Sequence, residues 1–389
     1  MLSPLLFSSC EDAKAPAIDN LVFLNEASAE KSLDVTMQEG VTIASVTVRL
    51  ARAASEDVTV HLGTDSDYLK AYNERNESSI KEVEAGNVKF PEKVVIPAGA
   101  VSAEPVRIEI SSFETAGAQY AIPMTISSVD GGIAKSIESS RIILNLIKPL
   151  RQQVPAFRWY NGMQTQKEWN DLELPNYTLE WWCRISSPGG GAGYSVNNQA
   201  IFNSGSGGTE MYIRFGDLVY TVNGRYVYNF LQVKTMGAQF DTGDPALGAG
   251  LLGKTWMHFA LTYDAATGIS LLYKDGVQVN SLKTAVGKSM VISRFAMVSS
   301  GSQYFRDLCE MCQVRFWKTT RTPNQIQKNM FSEVDYHHPD LILYLPMNET
   351  EGSTLHDVTD HGYDVEIGSL HPGQADAKVV TRQEYSFNK

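Results

Sequence analysis

Hydrophobic and polar residues alternate along most of this chain with a period of two. From Trp256 to Tyr263, Met257, Phe259, Leu261 and Tyr263 fall on one face, and Trp256, His258, Ala260 and Thr262 on the other. That period is a strand. A short loop, "DAATG", follows at 264–268. Ile269, Leu271 and Tyr273 then alternate with Ser270, Leu272 and Lys274. Asp275-Gly276 closes a hairpin, because both positions tolerate the positive φ that a tight turn demands. Asp264 and Asp275 therefore have turn roles, and His258 reads as a packed strand histidine, not as a member of a catalytic site.

Similar short segments, punctuated by Gly, Asn, Asp and Pro, recur from end to end. Sustained helical periodicity is nearly absent, so the fold class is all-β. Eight candidate strands lie between residues 17 and 148: "LVFLNEA", "KSLDVTM", "VTIASVTVRLA", "DVTVHLGTD", "EKVVIPAGA", "EPVRIEISS", "QYAIPMTISSV" and "SSRIILNLI". Their spacing is that of a β-sandwich. In the third, the apolar set reads as Val41 and Ile43 and then, after a shift, Val46, Val48 and Leu50. The polar stretch 64–84 is the one place there for a helical turn. "KPLRQQVP" (148–155), with two prolines among polar residues, reads as a domain boundary, with 149–154 as the linker. All six tryptophans lie beyond residue 158, in a second domain over 155–389. There "TPNQIQKNM" predicts a short helix capped by Thr322 with Pro323 in its first turn.

The 389 residues are enough for two or three domains with real cores, and a hydrophobic share of 43% marks a globular chain. A net charge of −11 without a basic run argues against nucleic acid or an anionic membrane surface as the main partner. No apolar stretch reaches the 18 residues of a spanning helix. Four cysteines, Cys10, Cys183, Cys309 and Cys312, are too few for a disulfide scaffold. Cys309 and Cys312 form a C-x-x-C pair on a strand, which puts them on opposite faces, and they read as plain buried thiols.

Glycoside hydrolysis needs two carboxylates facing one sugar. Glu168, Asp171 and Glu173 are out of phase for this, and Glu333 and Asp335 lack a third acid. In "DYHHPD", Asp335, His337, His338 and Asp340 could be metal ligands, but adjacent histidines point apart on an extended backbone, so this reads as a polar loop. No metal is assigned. Binding chemistry is easier to place, because sugars stack their C–H faces on aromatic rings and pair their hydroxyls with amides. Tyr194, Asn197 and Asn198 lie in the Gly-rich "PGGGAGYSVNNQ" (188–199). Arg225, Tyr226 and Tyr228, with Tyr220, surround an Asn-Gly hairpin in "YTVNGRYVYNF" (220–230). These six residues, Tyr194, Asn197, Asn198, Arg225, Tyr226 and Tyr228, are the expected ligand-binding set; the competing reading is that the tyrosines pack on the sheet or on the first domain.

Three resemblances add to this. "LFSSC" resembles the end of a bacterial lipobox, and the Glu11-Asp12 pair after it resembles the surface-export signal of Bacteroidetes lipoproteins. Cys10 would then be lipidated, residues 1–16 being signal remnant and tether, and the true start would lie upstream. "KVVIPAGA", "VRIEI" and "YAIPMTISS" with Pro123 resemble the immunoglobulin-like N-terminal domain of such lipoproteins, which implies a spacer or docking module. Finally, "AFRWYNG" (156–162), "YTLEWWCRI" (177–185), the 256–279 segment, "CQVRFWKTTRTPNQIQKNM" (312–330) and "LILYLPMNETEGSTLHDVTDHGYDVEI" (341–367) occur in the order of a concanavalin A-like jelly roll of the laminin-G/pentraxin type. Met347 and Asn348 depart from that pattern, where an aromatic and an acid are usual.

These resemblances imply an immunoglobulin-like β-sandwich followed by a concanavalin A-like jelly roll, anchored by lipid at the outer membrane of a Gram-negative cell. The expected function is non-catalytic glycan binding, beside other outer-membrane glycan-uptake proteins. A protein-binding adhesion module is the alternative, and a glycosidase the second alternative. No cofactor is expected. Relatives of this type bind calcium through loop acids, so calcium is admitted, with Asp217, Asp241 and Asp244 as the loop acids present.

Overall fold

A computed structural model describes residues 20–205 and 208–387; the expected lipidation site at Cys10 and the tether 1–16 lie outside the described residues. The chain divides into two compact units, with the break between residues 147 and 148; the short segments 77–79 and 114–119 group with the second.

The first unit is a β-sandwich of short sheets. Its largest runs in the order Ser32–Thr36, Arg141–Ile147, Tyr120–Val129, Val58–Thr64, Lys93–Ile96, with Lys81–Glu82 also paired to Tyr120–Val129. Two three-stranded sheets are built on Leu21–Leu24 and on Val106–Ser111. All eight expected strands form, and the third divides at Thr47 into Val41–Val46 and Val48–Leu50, which join different sheets. The expected shift within it does not occur. Thr42, Ala44, Val46, Val48 and Leu50 point inward in one unbroken alternation, and Val41 and Ile43 face out, 51% and 44% exposed. The polar stretch after residue 64 holds a helix of three turns, Ser66–Asn76, longer than the single turn expected.

The second unit is a two-layer jelly roll of two eight-stranded sheets. One sheet runs Val277–Lys283, Ile269–Lys274, Met257–Asp264, Asn176–Ser186, Leu308–Trp317, Leu150–Phe157, Thr381–Phe387, with Leu341–Leu345 also on Leu308–Trp317. The other runs Ala238–Asp241, Leu231–Thr235, Met211–Phe215, Gln199–Ser204, Ala296–Met297, Met163–Thr165, Val365–Glu366, Thr354–Leu355. Aromatic side chains from both inner faces interlock between them: the Trp181 ring lies 5.0 Å from Phe202 and 5.5 Å from Phe259. Burying such rings is the main driving force for closing two sheets on each other.

The expected linker is a correction. Residues 150–157 form a strand, with Leu150, Gln152 and Val154 buried. Leu150 to Pro155 pair only with Thr381–Phe387; pairing with Leu308–Trp317 begins at Ala156. One flank is therefore free of a ladder up to Pro155, which is where a residue without an N–H fits. Both hairpin turns form as expected, with left-handed φ at Asn223 and Gly224 and at Asp275 and Gly276. The helix Pro323–Asn329 is capped as read from the sequence: the Thr322 hydroxyl accepts from the Gln325 N–H, and the Gln325 side chain returns to the Thr322 N–H.

Candidate functional site

The two sheets of the second unit turn very different outer faces outward. On the sheet containing Asn176–Ser186, the outward residues Thr178, Glu180 and Trp182 are buried, as are His258 and Arg315 on the neighbouring strands. Residues 318–340 cover them. Ile326 of the short helix packs on Ala260 and Tyr273, the Trp182 Nε1–H donates to the Met330 carbonyl at 2.7 Å, and Arg315 donates to the carbonyls of Asn329 and Ser332. Beneath this cover the Glu180 carboxylate accepts from Arg321 Nη1 at 2.5 Å. Burial alone would raise the Glu180 pKa; the Arg321 and Arg315 charges, with the Arg321 hydrogen bond, outweigh it and hold the carboxyl below its ordinary value.

His258 Nε2 lies 3.7 Å from Glu180. Burial depresses its pKa to about 4 against the pull of Glu180, so at neutral pH the imidazole is uncharged and the contact is not an ion pair. Asp275 serves the turn: it accepts the His258 backbone N–H at 2.9 Å. The histidine is therefore architectural. The three cysteines of this sheet are free and buried. Cys309 stands opposite Ile185 on the inner face and Cys312 opposite Trp182 on the outer, with the left-handed Gln313 as the extra residue of a bulge. Burial pushes the Cys183 thiol up to about 12 and the other two well above their ordinary range, so none is poised to react.

The second sheet is different. Along Met211–Phe215, Met211, Ile213 and Phe215 point into the core, while Tyr212 and Arg214 point outward and are half-buried. Opposite them across the ladder stand Lys234 and Gln232, and beyond those Gln239 and Asp241. Arg214 is the hub. Its Nε and Nη2 donate to Gln232 Oε1 at 2.9 and 2.6 Å, Nη1 donates to Asn198 Oδ1 at 3.1 Å, and Nη2 also meets Asp217 at 2.6 Å. The guanidinium carbon lies 5.4 Å from the centre of the Tyr212 ring, and the Tyr212 hydroxyl donates to Asn198 Oδ1 at 2.8 Å. A rigid aromatic ring, an amide and a neutralised guanidinium thus share one partly exposed face. Stacking and hydrogen bonding to a sugar use those groups.

Of the six expected binding residues, the structure places Asn198 in this cluster. Tyr194 is a correction: only 8% exposed, it belongs to the core, edge-on to Phe215 at 5.5 Å. The Gly-rich insert around it is pinned by buried Asp307, whose carboxylate accepts from the Ser195 N–H and hydroxyl and from Gln199. Asn197 is half-buried beside Asn198. Arg225 and Tyr226 are exposed on their hairpin. Tyr228 is half-buried against the core, over Gly216, where a Cβ would come within 2.6 Å of it. Tyr212, Arg214 and Gln232 were missed. Their signal was "MYIRF", a strand whose outward positions hold an aromatic and a cation.

The loop acids do not fit a calcium ion. Asp217 is taken by Arg214, Asp241 accepts from the Tyr220 hydroxyl at 2.9 Å, and Asp244 caps the Ala246 N–H. Among the described residues no group of three or more His, Cys, Asp or Glu is arranged around a cation. In 335–340, His337 bonds Asp360 and His338 packs on Trp317, so the two histidines diverge as expected.

Comparison with known proteins agrees with this architecture. Residues 160–327 match the concanavalin A-like lectin/glucanases superfamily, laminin-G type, and residues 18–133 match a family of N-terminal domains. No curated protein matches the sequence. A candidate carbohydrate binding protein from Bacteroides ovatus, 20% identical, aligns over 95% of this chain and 98% of its own with a TM-score of 0.61, which shows a shared fold. Weaker likenesses include EndoBT-3987 of Bacteroides thetaiotamicron (19% identity, 33% of this chain and 30% of that one, TM-score 0.29) and the SAP-like pentraxin of Limulus polyphemus (9%, 56% and 96%, TM-score 0.34). The chain thus joins an N-terminal β domain of that family to a concanavalin A-like domain of the laminin-G type.

Proposed function

We propose that the second unit binds glycan without cleaving it, on the outer face that carries Tyr212, Arg214 and Asn198. The observation that carries this reading is the half-buried Tyr212 ring, fixed through its hydroxyl to Asn198 and backed by Arg214. Such a ring offers stacking surface with little entropy left to lose. The fold shared with the Bacteroides ovatus protein supports a carbohydrate ligand. The acids near this face suit binding better than hydrolysis. A general acid needs a raised pKa. Burial raises that of Glu210, but its own backbone N–H and Lys234 outweigh burial and leave it lowered. Asp217 is neutralised by Arg214. We extend the proposal to the cell: a lipid on Cys10 would hold the protein at the outer membrane, with the first unit as spacer.

The test is a glycan array and titration calorimetry with residues 20–389, followed by incubation with the bound polysaccharide. Binding that Tyr212→Ala weakens, with no oligosaccharide released, is the expected result. Release that a single Asp or Glu substitution abolishes would replace binding by hydrolysis. A second reading is favoured by Leu218, Val219 and Val222, apolar and exposed beside the hairpin: an exposed apolar patch is what a protein partner covers. Capture of a protein ligand lost in Val219→Ser but kept in Tyr212→Ala would select it.

A further inference from the structure

The arrangement around Asn198 reaches further than a general affinity for sugar, and this step rests on the glycan-binding reading. Asn198 has a left-handed backbone (φ +63), which asparagine tolerates better than most residues, and its N–H donates to the Gly216 carbonyl at 3.0 Å. Its side-chain oxygen accepts from two groups, the Tyr212 hydroxyl and Arg214 Nη1. A guanidinium only donates, so the amide cannot turn over. The oxygen must face Arg214, and Nδ2, without a hydrogen-bond partner among the described residues, is left to donate to a ligand. The Asn198 amide thus keeps two N–H donors available, held in place by the contacts of its oxygen with Tyr212 and Arg214.

Charge points the same way. The guanidinium at the centre of the face is spent internally: Nε, Nη1 and Nη2 all have protein acceptors, and Asp217 cancels its charge. Lys234, the next cation, is paired with Glu210 at 3.2 Å. Asp241 and Asp244 add negative charge at the edge of the sheet. A carboxylated or sulfated sugar would meet no unpaired cation among Arg214 and Lys234, and would lie near those acids.

We infer that the site selects neutral glycans, with the Asn198 amide donating to a sugar oxygen while the sugar ring stacks on Tyr212, and with Arg214 as the positioning residue that locks the amide. A site built to hydrogen-bond one oxygen discriminates strongly, because a mismatch leaves a buried polar group unpaired.

The experiment titrates a panel of neutral polysaccharides and their uronic-acid counterparts into the wild type, Asn198→Asp, Arg214→Lys and Asp217→Asn, with Tm measured on each. Asn198→Asp keeps the shape and the left-handed tolerance but turns a donor into an acceptor. The expected result is neutral-glycan binding that falls at least ten-fold in Asn198→Asp and several-fold in Arg214→Lys, with Tm little changed. Asp217→Asn should shift preference toward the acidic ligands by releasing the Arg214 charge. Binding that survives Asn198→Asp yet is lost in Tyr212→Ala overturns this inference and leaves the site in place. Tighter binding of acidic glycans by the wild type overturns it too. If Asn198→Asp lowers Tm sharply, Asn198→Gly, which keeps the left-handed backbone and has no side-chain donor, decides by the same criterion. Absence of any glycan binding instead removes the functional reading on which the inference rests.

Discussion

The two outer faces of the jelly roll are made from the same alternation of residues and do opposite things. On the sheet around Asn176–Ser186 the outward positions carry Glu180, His258 and Arg315, charged or titratable groups that are sealed beneath residues 318–340 with Arg321. On the sheet around Met211–Phe215 the outward positions carry Tyr212, Arg214 and Lys234, and water reaches them. In both places an arginine organises its neighbours. In the first its partners are strand side chains and the carbonyls of the covering segment, so it joins two pieces of chain. In the second its partners are side chains of one surface, so it arranges a face. Buried charge is costly to leave unpaired once one partner is removed; exposed charge, already paired, orders a surface at low cost to stability.

The sharpest way to break this comparison is Glu180→Gln. It leaves Arg321 buried without its counter-charge, and a loss of about 3–5 kcal/mol is expected in urea unfolding. A loss below about 1 kcal/mol would mean that the covered face is not held by this pair. Glycan affinity of the folded variant should not move.

Next in size is the response to acid. His258 titrates near 4 in the folded chain against an ordinary value of 6.5. Between those limits the unfolded chain binds a proton that the folded one refuses, so stability is full above pH 6.5 and falls as pH drops, by about 3 kcal/mol at pH 4. Glu180, held low, adds to the loss further down, as pH falls through its folded value. Unfolding free energies measured from pH 7 to 4 should show this slope in the wild type and a shallower one in His258→Gln. Equal slopes would remove His258 as the cause.

Tyr212→Ala tests the open face. Binding should weaken by about 1 kcal/mol, roughly five-fold in Kd, with a smaller change in stability. The smallest effect is expected from Tyr226→Ala. Its ring is half exposed on the Asn-Gly hairpin, and stability should change by less than ~0.5 kcal/mol. A loss of affinity here larger than in Tyr212→Ala would move the site from the sheet to the hairpin.

Much of the architecture was legible because it is local. The alternation at 257–263, the two Asx-Gly turns and the Thr322 cap are each decided within a few residues, and all form where expected. What failed was decided at long range. Tyr194 looked exposed because its surroundings are glycine-rich; its place in the core depends on Asp307, more than a hundred residues on, pinning Ser195. His258 had no visible partner because Glu180 lies on the neighbouring strand, two residue pairs along the ladder on the same face and far away in sequence. The linker was misread because prolines and glutamines look like a joint until the strand that pairs with them, at the far end of the chain, is known. The site was half legible. Asn198 could be named, but Tyr212 and Arg214 sit in an ordinary-looking strand, and only cross-strand register brings Gln232 beside them.

That pairing of distant segments has a consequence of its own. Leu150 and Phe387 are register partners on adjacent antiparallel strands. The first and last strands of the two large sheets therefore lie side by side. A unit with that geometry can be cut out, looped into a host chain or rewired in a new order of segments, because a short bridge closes the old ends. The exposed turn at Leu247 is a natural place to open a new one. Seen so, the pair of sheets is a cassette whose own ends already lie side by side.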